Sequence, residues 1–196
     1  MPDIELPVLT DRLVLRRFEA GDLDAFYAYH SLPETARFLP GPPKTYTKAM
    51  EYVGRYANFV FQKEGDWLCL AVEGRDRPGL LGEVVLKWLP GQGQAEVGWS
   101  LAPEARGKGY AAEAAGAVLD LGFGELGLHR IEARLDELNT ASAALCTRLG
   151  MRLEARHVDK WFYKDQWATE LIYAVLAEEW RAEDVPVSGG NPMPGP

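Results

Sequence analysis

Arg106-Gly107-Lys108-Gly109-Tyr110-Ala111 is the stretch of this 196-residue chain best equipped for chemistry. It follows an alternating, strand-like segment and opens into a run in which Ala111, Ala115, Val118, Leu119, Gly122 and Phe123 fall on one helical stripe. The first turn of a helix leaves backbone N–H groups unpaired and carries partial positive charge. Gly107 and Gly109 put no Cβ atom between those amides and a bulky anion, and Arg106 and Lys108 add formal charge. The chemistry this predicts is the cradling of a phosphate or diphosphate. The bare spacing Arg-x-x-Gly-x-Ala also describes a helix that merely begins among glycines, but its position between a strand and a helix is the one its mechanism requires. A dinucleotide site of the βαβ type fits less well, because the segments before the loop read as a meander.

The elements around the loop read as a single domain over residues 1–182, with a mobile tail over 183–196 where Pro, Gly and Ser crowd without apolar periodicity. Residues 12–16 alternate with period two and predict a strand. Asp22 is the expected N-cap of a helix whose apolar face is Leu23, Phe26 and Tyr27. Beyond Pro33 and Pro40-Gly41-Pro42-Pro43 a second helix is expected over residues 46–62. Three β segments, 67–72, 80–88 and 94–101, are joined by short turn-rich links and predict an antiparallel meander. After the long helix come a strand (129–136), a helix (140–149) stopped by Gly150, and strands near 151–155, 160–163 and 168–176. Helices joined to both ends of a mainly antiparallel sheet make an α+β domain.

Hydrophobic residues are 47% of the chain and charged ones 26%, a balance that closes a core and excludes a disordered chain or a disulfide-stapled miniature. Lys and Arg number 21 against 29 Asp and Glu, a formal charge of −8, so nucleic acid is not an expected partner. No apolar run approaches the roughly 18 residues of a membrane helix, and residues 1–7 are no signal peptide, so no membrane partner is expected. Cys69 and Cys146 form no metal or redox spacing, and the expectation is a reduced, cytoplasmic protein without a metal.

Three stretches together carry a family resemblance. The loop resembles the acyl-CoA pyrophosphate loop (Gln/Arg-x-x-Gly-x-Gly/Ala) of the GNAT N-acetyltransferases. Thr10-Asp11-Arg12-Leu13-Val14-Leu15-Arg16 is similar to the opening strand of the RimJ/RimL-type branch, which acetylates protein N-termini and some small amines. Asn139-Thr140-Ala141-Ser142, with Leu149-Gly150-Met151 further on, resembles the family's Asn-x-x-Ser…Leu-Gly-Phe segment, with Met for Phe. These matches run in order over residues 6–180. The resemblance implies the GNAT fold, α+β, with a mixed, mostly antiparallel sheet that is splayed between two central parallel strands, the first of them bulged. It also implies acetyl-CoA as co-substrate and no metal. Amides around Trp99, Ser100 and Leu101 would bind the thioester carbonyl and the pantetheine arm. Arg106, Gly107, Lys108, Gly109, Tyr110 and Ala111 would take the diphosphate, and Asn139 would bond the cofactor or an ordered water. Dimers are common among relatives, so a homodimer is a further expectation.

Acetyl transfer to an amine needs a neutral nitrogen, and a Lys amine titrates at about 10.4 whereas an α-amine does so at about 7.7–8.0. It also needs a stabilised oxyanion and a proton for the departing thiolate. Glu96 lies near the start of the strand that feeds the loop and is the expected base, and Ala95-Glu96-Val97 resembles the strand glutamate of histone-type GNAT enzymes. The alternatives for Glu96 are orienting the substrate or pairing with a basic neighbour. RimL-like enzymes place a glutamate on a late strand, where this chain has Trp161; Asp159, expected two residues back on the same face with His157, is the reserve. Ser142 matches the serine proposed as acid in RimL-like enzymes and could equally cap its helix. Cys146, where many members carry a tyrosine, reads as packing. Trp161, Phe162, Tyr163 and Trp167 read as core or dimer interface, with an ammonium cage as the alternative. The Pro-stiffened residues 38–43 are expected to wall the acceptor pocket. The expected function is therefore transfer of acetyl from acetyl-CoA to a primary amine by direct attack in a ternary complex. A protein N-terminal α-amine is the first acceptor, and a small amine such as an antibiotic, polyamine or amino acid is the second. A non-catalytic acyl-CoA sensor and a nucleotide-binding scaffold are the remaining alternatives.

Overall fold

A computed structural model describes residues 4–91 and 93–183. In chain order its elements are β1 (Val8–Leu9), β2 (Leu13–Arg16), α1 (Leu23–His30), α2 (Pro33–Ala36), α3 (Tyr46–Ala57), β3 (Trp67–Gly74), β4 (Arg77–Trp88) and β5 (Gln94–Leu101). There follow α4 (Tyr110–Gly124), β6 (Arg130–Asp136), α5 (Thr140–Arg148), β7 (Arg152–Tyr163), β8 (Gln166–Leu176) and α6 (Ala177–Glu183). Glu183 thus closes a helix, and the rest of the expected tail lies outside the described residues.

The strands form one sheet in the order β1-β2-β3-β4-β5-β6-β8-β7. The short links between β3, β4 and β5 give the expected antiparallel meander. α4 carries the chain to the neighbouring position, so β6 runs parallel to β5, and β8 and β7 then add antiparallel. The fold is α+β and mostly antiparallel, as the sequence predicts.

α4 packs on one face because its apolar stripe meets the inward residues of successive strands: Leu15, Leu70, Val84, Val97 and Ile131 are buried with Ala115, Val118, Leu119 and Phe123. Ala111, at the start of the expected stripe, is only half-buried. The opposite face is covered by α1 and α3, whose Phe26, Tyr29, Ala49 and Val53 pack with Phe18 and Ala71.

Four local expectations are corrected. α3 stops at Ala57 rather than near residue 62, because the Asn58 side chain donates to the Gly54 carbonyl at 2.8 Å and Phe59 and Phe61 turn into the main core. Asp22 does not cap α1 with its side chain; that buried carboxylate accepts from both Arg16 nitrogens at 2.8 and 2.9 Å and from the Glu19 amide. The fragments near 151–155 and 160–163 are one strand, β7, irregular between Leu153 and Ala155 and between His157 and Trp161. The bulge expected in β5 does not disturb its pairing with β4, which runs unbroken from Trp88↔Ala95 to Gly82↔Leu101.

The splay itself is present. β5 and β6 pair only at Gln94↔Arg130, Ala95↔Ile131 and Glu96↔Glu132, and then part. The closed end of that fork is tight at Gly122: a Cβ there would lie 2.6 Å from Ile131 Cδ1 and would force that buried side chain to shift. Gly122→Val is expected to lower stability by about 1–3 kcal/mol through overpacking. Urea denaturation checks this, and an unchanged midpoint would show that α4 does not need the close approach.

Candidate active site

The sequence Arg106–Ala111 folds as a loop because Gly107 (φ +72°) and Gly109 (φ +82°) take left-handed conformations that L side chains rarely adopt. Gly109 is the N-cap of α4, and the first amide to bond back into the helix is that of Glu113, to the Gly109 carbonyl at 3.1 Å. Among the described residues the amides of Gly107, Lys108, Gly109, Tyr110 and Ala111 have no protein acceptor. The Arg106 amide does have one, Pro103 O at 3.2 Å. With Ala112, whose amide also has no acceptor among the described residues, six consecutive unsatisfied donors at a positive helix end form a concavity for an anion.

The charges near this loop are used differently from expectation. The Arg106 guanidinium does not extend toward the loop's open side: Nε donates to Leu101 O at 3.0 Å and Nη2 to Thr35 Oγ1 at 2.8 Å, with Glu34 at 3.4 Å from Nη1. Lys108 is exposed and makes no ion pair among the described residues. A second arginine, missed in the sequence, braces the loop from the residue just before β2. Arg12 donates through its amide and Nε to the two carboxylate oxygens of Glu113 at 2.8 and 2.7 Å and through Nη1 to Lys108 O at 3.0 Å. Thr10 Oγ1 adds a bond to Glu113, and the Arg12 guanidinium sits 4.9 Å over the Tyr110 ring. Burial pushes the Glu113 carboxyl up, but the hydrogen bonds from Thr10 and Arg12 outweigh it and hold the group below the ordinary glutamate range. The motif Thr10-Asp11-Arg12 was the available signal, read only as the start of a strand.

The fork between β5 and β6 collects the other candidates. Glu96 is the last residue of the β5–β6 ladder and stands opposite Lys87 on β4. Its carboxylate is 3.9 Å from Arg134 Nε, beyond hydrogen-bond distance. Arg134 is committed instead to Glu132 at 2.7 Å, which also takes Arg130 at 3.1 Å. Burial pushes the Glu96 carboxyl up; Arg134 and Lys87 oppose this in part, while Glu132 and Glu170 add to it.

Trp99 is on the opposite face of β5, an odd number of residues away, and its indole N–H donates across the fork to Ser142 Oγ at 3.3 Å. Asn139 caps α5, its Oδ1 accepting from the Ser142 amide at 3.2 Å, so the cap is the asparagine and the serine hydroxyl is left for other work. Ser100 shares the face of Glu96, and Leu101 ends the strand with its carbonyl on Arg106. Cys146 is fully buried, and burial pushes its thiol up to about 12, which fits packing and not acid chemistry.

Asp159 is not where alternation put it. Three residues of β7 lie between His157 and Trp161 while one residue of β8 lies between their partners, and Asp159 sits in that irregularity at φ +49°, exposed. The carboxylate facing His157 is Glu170, which accepts from Lys160 and from Trp161 Nε1 at 3.1 Å. Burial pushes Glu170 up, and the bonds from Lys160, Trp161 and His157 bring it below the ordinary range. The aromatic cluster is not core: Trp161, Phe162 and Trp167 are each more than half exposed, whereas Tyr163 donates to the carbonyls of Leu39 and Gly41. Sequence reasoning also missed a buried polar trio. Glu83, opposite Ser100, accepts from the Tyr29 hydroxyl and lies 2.8 Å from His30 Nε2. A charge inside the apolar run of β4 was its only sequence signal. A cavity of about 490 Å³ between β1 and α4, lined by Thr10, Glu113 and Asp120 among others, shares none of the fork residues.

The acetyltransferase (GNAT) domain family matches residues 12–152. The chain is 34% identical over 179 residues to the uncharacterized N-acetyltransferase YnaD of Bacillus subtilis (strain 168), covering 88% of this chain and 98% of that one. A solved acetyltransferase (GNAT family) from Bacillus anthracis superposes with a TM-score of 0.79 at 30% identity, over 87% of this chain and 98% of its own. The spermidine N-acetyltransferase from Vibrio cholerae, solved with CoA and spermine, shares the fold at a TM-score of 0.74 and 22% identity, over 88% and 99% of the two chains.

The Arg12–Glu113 brace has a pH signature. A carboxyl held below its unfolded value stabilises the fold fully above about 4.3 and loses that contribution as pH falls through the lower folded value. Glu113→Gln should therefore lower the thermal midpoint at pH 7, and the difference from wild type should shrink in strong acid. An equal difference at both pH values would contradict the brace.

Proposed function

Because this chain belongs to the acetyltransferase (GNAT) family, we propose that it is an acetyl-CoA-dependent N-acetyltransferase of RimJ/RimL type whose acceptor is a single primary amine, a protein N-terminal α-amine first. The observation that carries the reading is the pairing of one burial-raised carboxylate without a hydrogen-bonded partner, Glu96, at the point where β5 and β6 part, with the unsatisfied amides of Gly107–Ala111 beyond the open end of the same strand.

Those amides would hold the diphosphate of acetyl-CoA, and the β6-facing edge of Trp99, Ser100 and Leu101 would bond the pantetheine arm and the thioester carbonyl. Acetyl-CoA supplies the activated acyl carbon. Glu96 accepts the proton of the amine, directly or through water, and its raised affinity for protons suits an α-amine, which is partly neutral near pH 7. Ser142 accepts its hydrogen bond from Trp99, so its own O–H remains available to donate to the leaving sulfur. Asn139 holds Ser142 in place through the helix cap.

Charge on the acceptor face favours one amine over a polyamine. Glu132 is neutralised by Arg130 and Arg134, and Glu170 by Lys160, which leaves Glu96 as the carboxylate there without a hydrogen-bonded cation, Arg134 Nε standing 3.9 Å away. One free carboxylate serves one ammonium group; a polyamine presents several. Incubation with labelled acetyl-CoA should therefore favour N-terminal peptides over spermidine, and preferential labelling of spermidine would overturn this choice of acceptor.

Two variants test the chemistry. Glu96→Gln should lower kcat by about 10²-fold with the largest deficit at low pH, because a general base is removed. It should not lower the thermal midpoint: a carboxyl whose folded value is raised favours the fold in acid and loses that contribution as pH rises through the raised value. Undiminished turnover would move the base elsewhere. Gly109→Trp fills a left-handed position whose Cβ would lie 3.3 Å from Arg12 Nη2 and should abolish acetyl-CoA binding by calorimetry; unchanged affinity would count against the diphosphate assignment.

A further inference from the structure

The segment formed by α2 and the residues after it is tied to two elements that the sheet keeps apart. At one end Arg106, on the amide-rich loop, donates to Thr35 Oγ1 at 2.8 Å. Thr35 is buried, with 7% of its surface exposed, so this bond is sheltered, whereas the companion pair with the exposed Glu34 is worth little. At the other end, the carbonyls that follow Thr35 are taken by the β7–β8 hairpin. Lys164 Nζ donates to Ala36 O and lies 3.4 Å from Arg37 O, and Tyr163 Oη donates to Leu39 O and, at 3.2 Å, to Gly41 O. Lys164 and Asp165 both have positive φ, 51° and 62°, the conformation of a tight two-residue hairpin turn, so the donors project from a defined tip. Residues 33–41 are therefore a strap, with the loop holding one end and the hairpin tip the other.

We propose that Thr35 is a positioning residue through which the loaded diphosphate loop sets the acceptor opening. The proposal rests on the acetyl-CoA reading above and on the expectation that residues 38–43, which overlap the strap, wall the acceptor pocket. With the loop occupied, Arg106 is fixed; Arg106 fixes Thr35; and the strap then holds the Tyr163–Lys164 tip. An acceptor that meets an already ordered opening loses less entropy on binding, which is positive coupling without a change of contacts at the acceptor itself. Coupling of this kind is reciprocal: a bound acceptor tightens acetyl-CoA by the same factor.

Hydrogen exchange followed by mass spectrometry, with CoA as the probe, tests this on the full chain. In the wild type, CoA should slow exchange in peptides covering residues 36–41 and 160–167 about fivefold or more, the lower range of such couplings. In Thr35→Val that slowing should disappear while CoA still raises the thermal midpoint, and Thr35→Ser, which restores the hydroxyl, should bring it back. Steady-state kinetics give a second readout. Thr35→Val and Tyr163→Phe should each raise the acceptor KM, leave the acetyl-CoA Kd within about twofold, and combine less than additively because they cut the same connection. Slowing that survives in Thr35→Val, no slowing in a wild type that binds CoA, or fully additive effects on KM would overturn the proposal. A wild type whose midpoint CoA does not move would overturn the functional reading and this proposal together, and that result is distinct from the others.

Discussion

Backbone N–H groups removed from water must find an acceptor, and β5 loses its parallel neighbour after three residue pairs. Everything that makes this chain a candidate enzyme depends on that parting. At the closed end, the absence of a side chain on Gly122 lets α4 draw close to Ile131, and the strands stay laddered through Glu96. At the open end, the indole of Trp99 reaches α5 through Ser142, so the fork is spanned by a side chain instead of a strand. The edge of β5 that faces the fork leads directly to the loop where six more amides have no protein acceptor. A ligand that satisfies one set is naturally led to the other.

The chain is acidic by eight charges, yet it offers an anion site. The two facts agree because the site works through amides and the helix end, not through formal charge. Two of the cations at the loop, Arg12 and Arg106, are spent on Glu113 and on Thr35 and Leu101, where they hold its shape, and Lys108 is left exposed. The acceptor face follows the opposite logic. Its carboxylates are mostly neutralised by arginine and lysine, and Glu96, the one left without a hydrogen-bonded partner, has its proton affinity raised by burial.

Much of this was legible in the sequence where the signal was local. Period-two segments joined by Gly- and Pro-rich turns gave the meander, and a change of period after Pro103 gave α4 with its glycine-bearing entry. Loop chemistry was legible because Gly107 and Gly109 act on their own backbone. What could not be read were partners more than 50 residues apart: Arg12 with Glu113, Tyr29 and His30 with Glu83, and Arg106 with Thr35. Strict alternation failed at Asp159, since extra residues between His157 and Trp161 leave no mark in a pattern of polar and apolar types. The tryptophans of the hairpin, expected as core or dimer interface, are not core, because composition carries no information about which strand lies at the sheet edge.

The most direct measurement is a titration of isotope-labelled protein followed by the backbone amide resonances, with CoA in one arm and pantetheine, which lacks the diphosphate, in the other. Saturation with CoA should shift the amides of Gly107, Lys108, Gly109, Tyr110 and Ala111 and protect them from exchange with water, and pantetheine should leave them where they were. Amides in this loop that stay unmoved when CoA is bound, or that respond equally to pantetheine, would contradict the account.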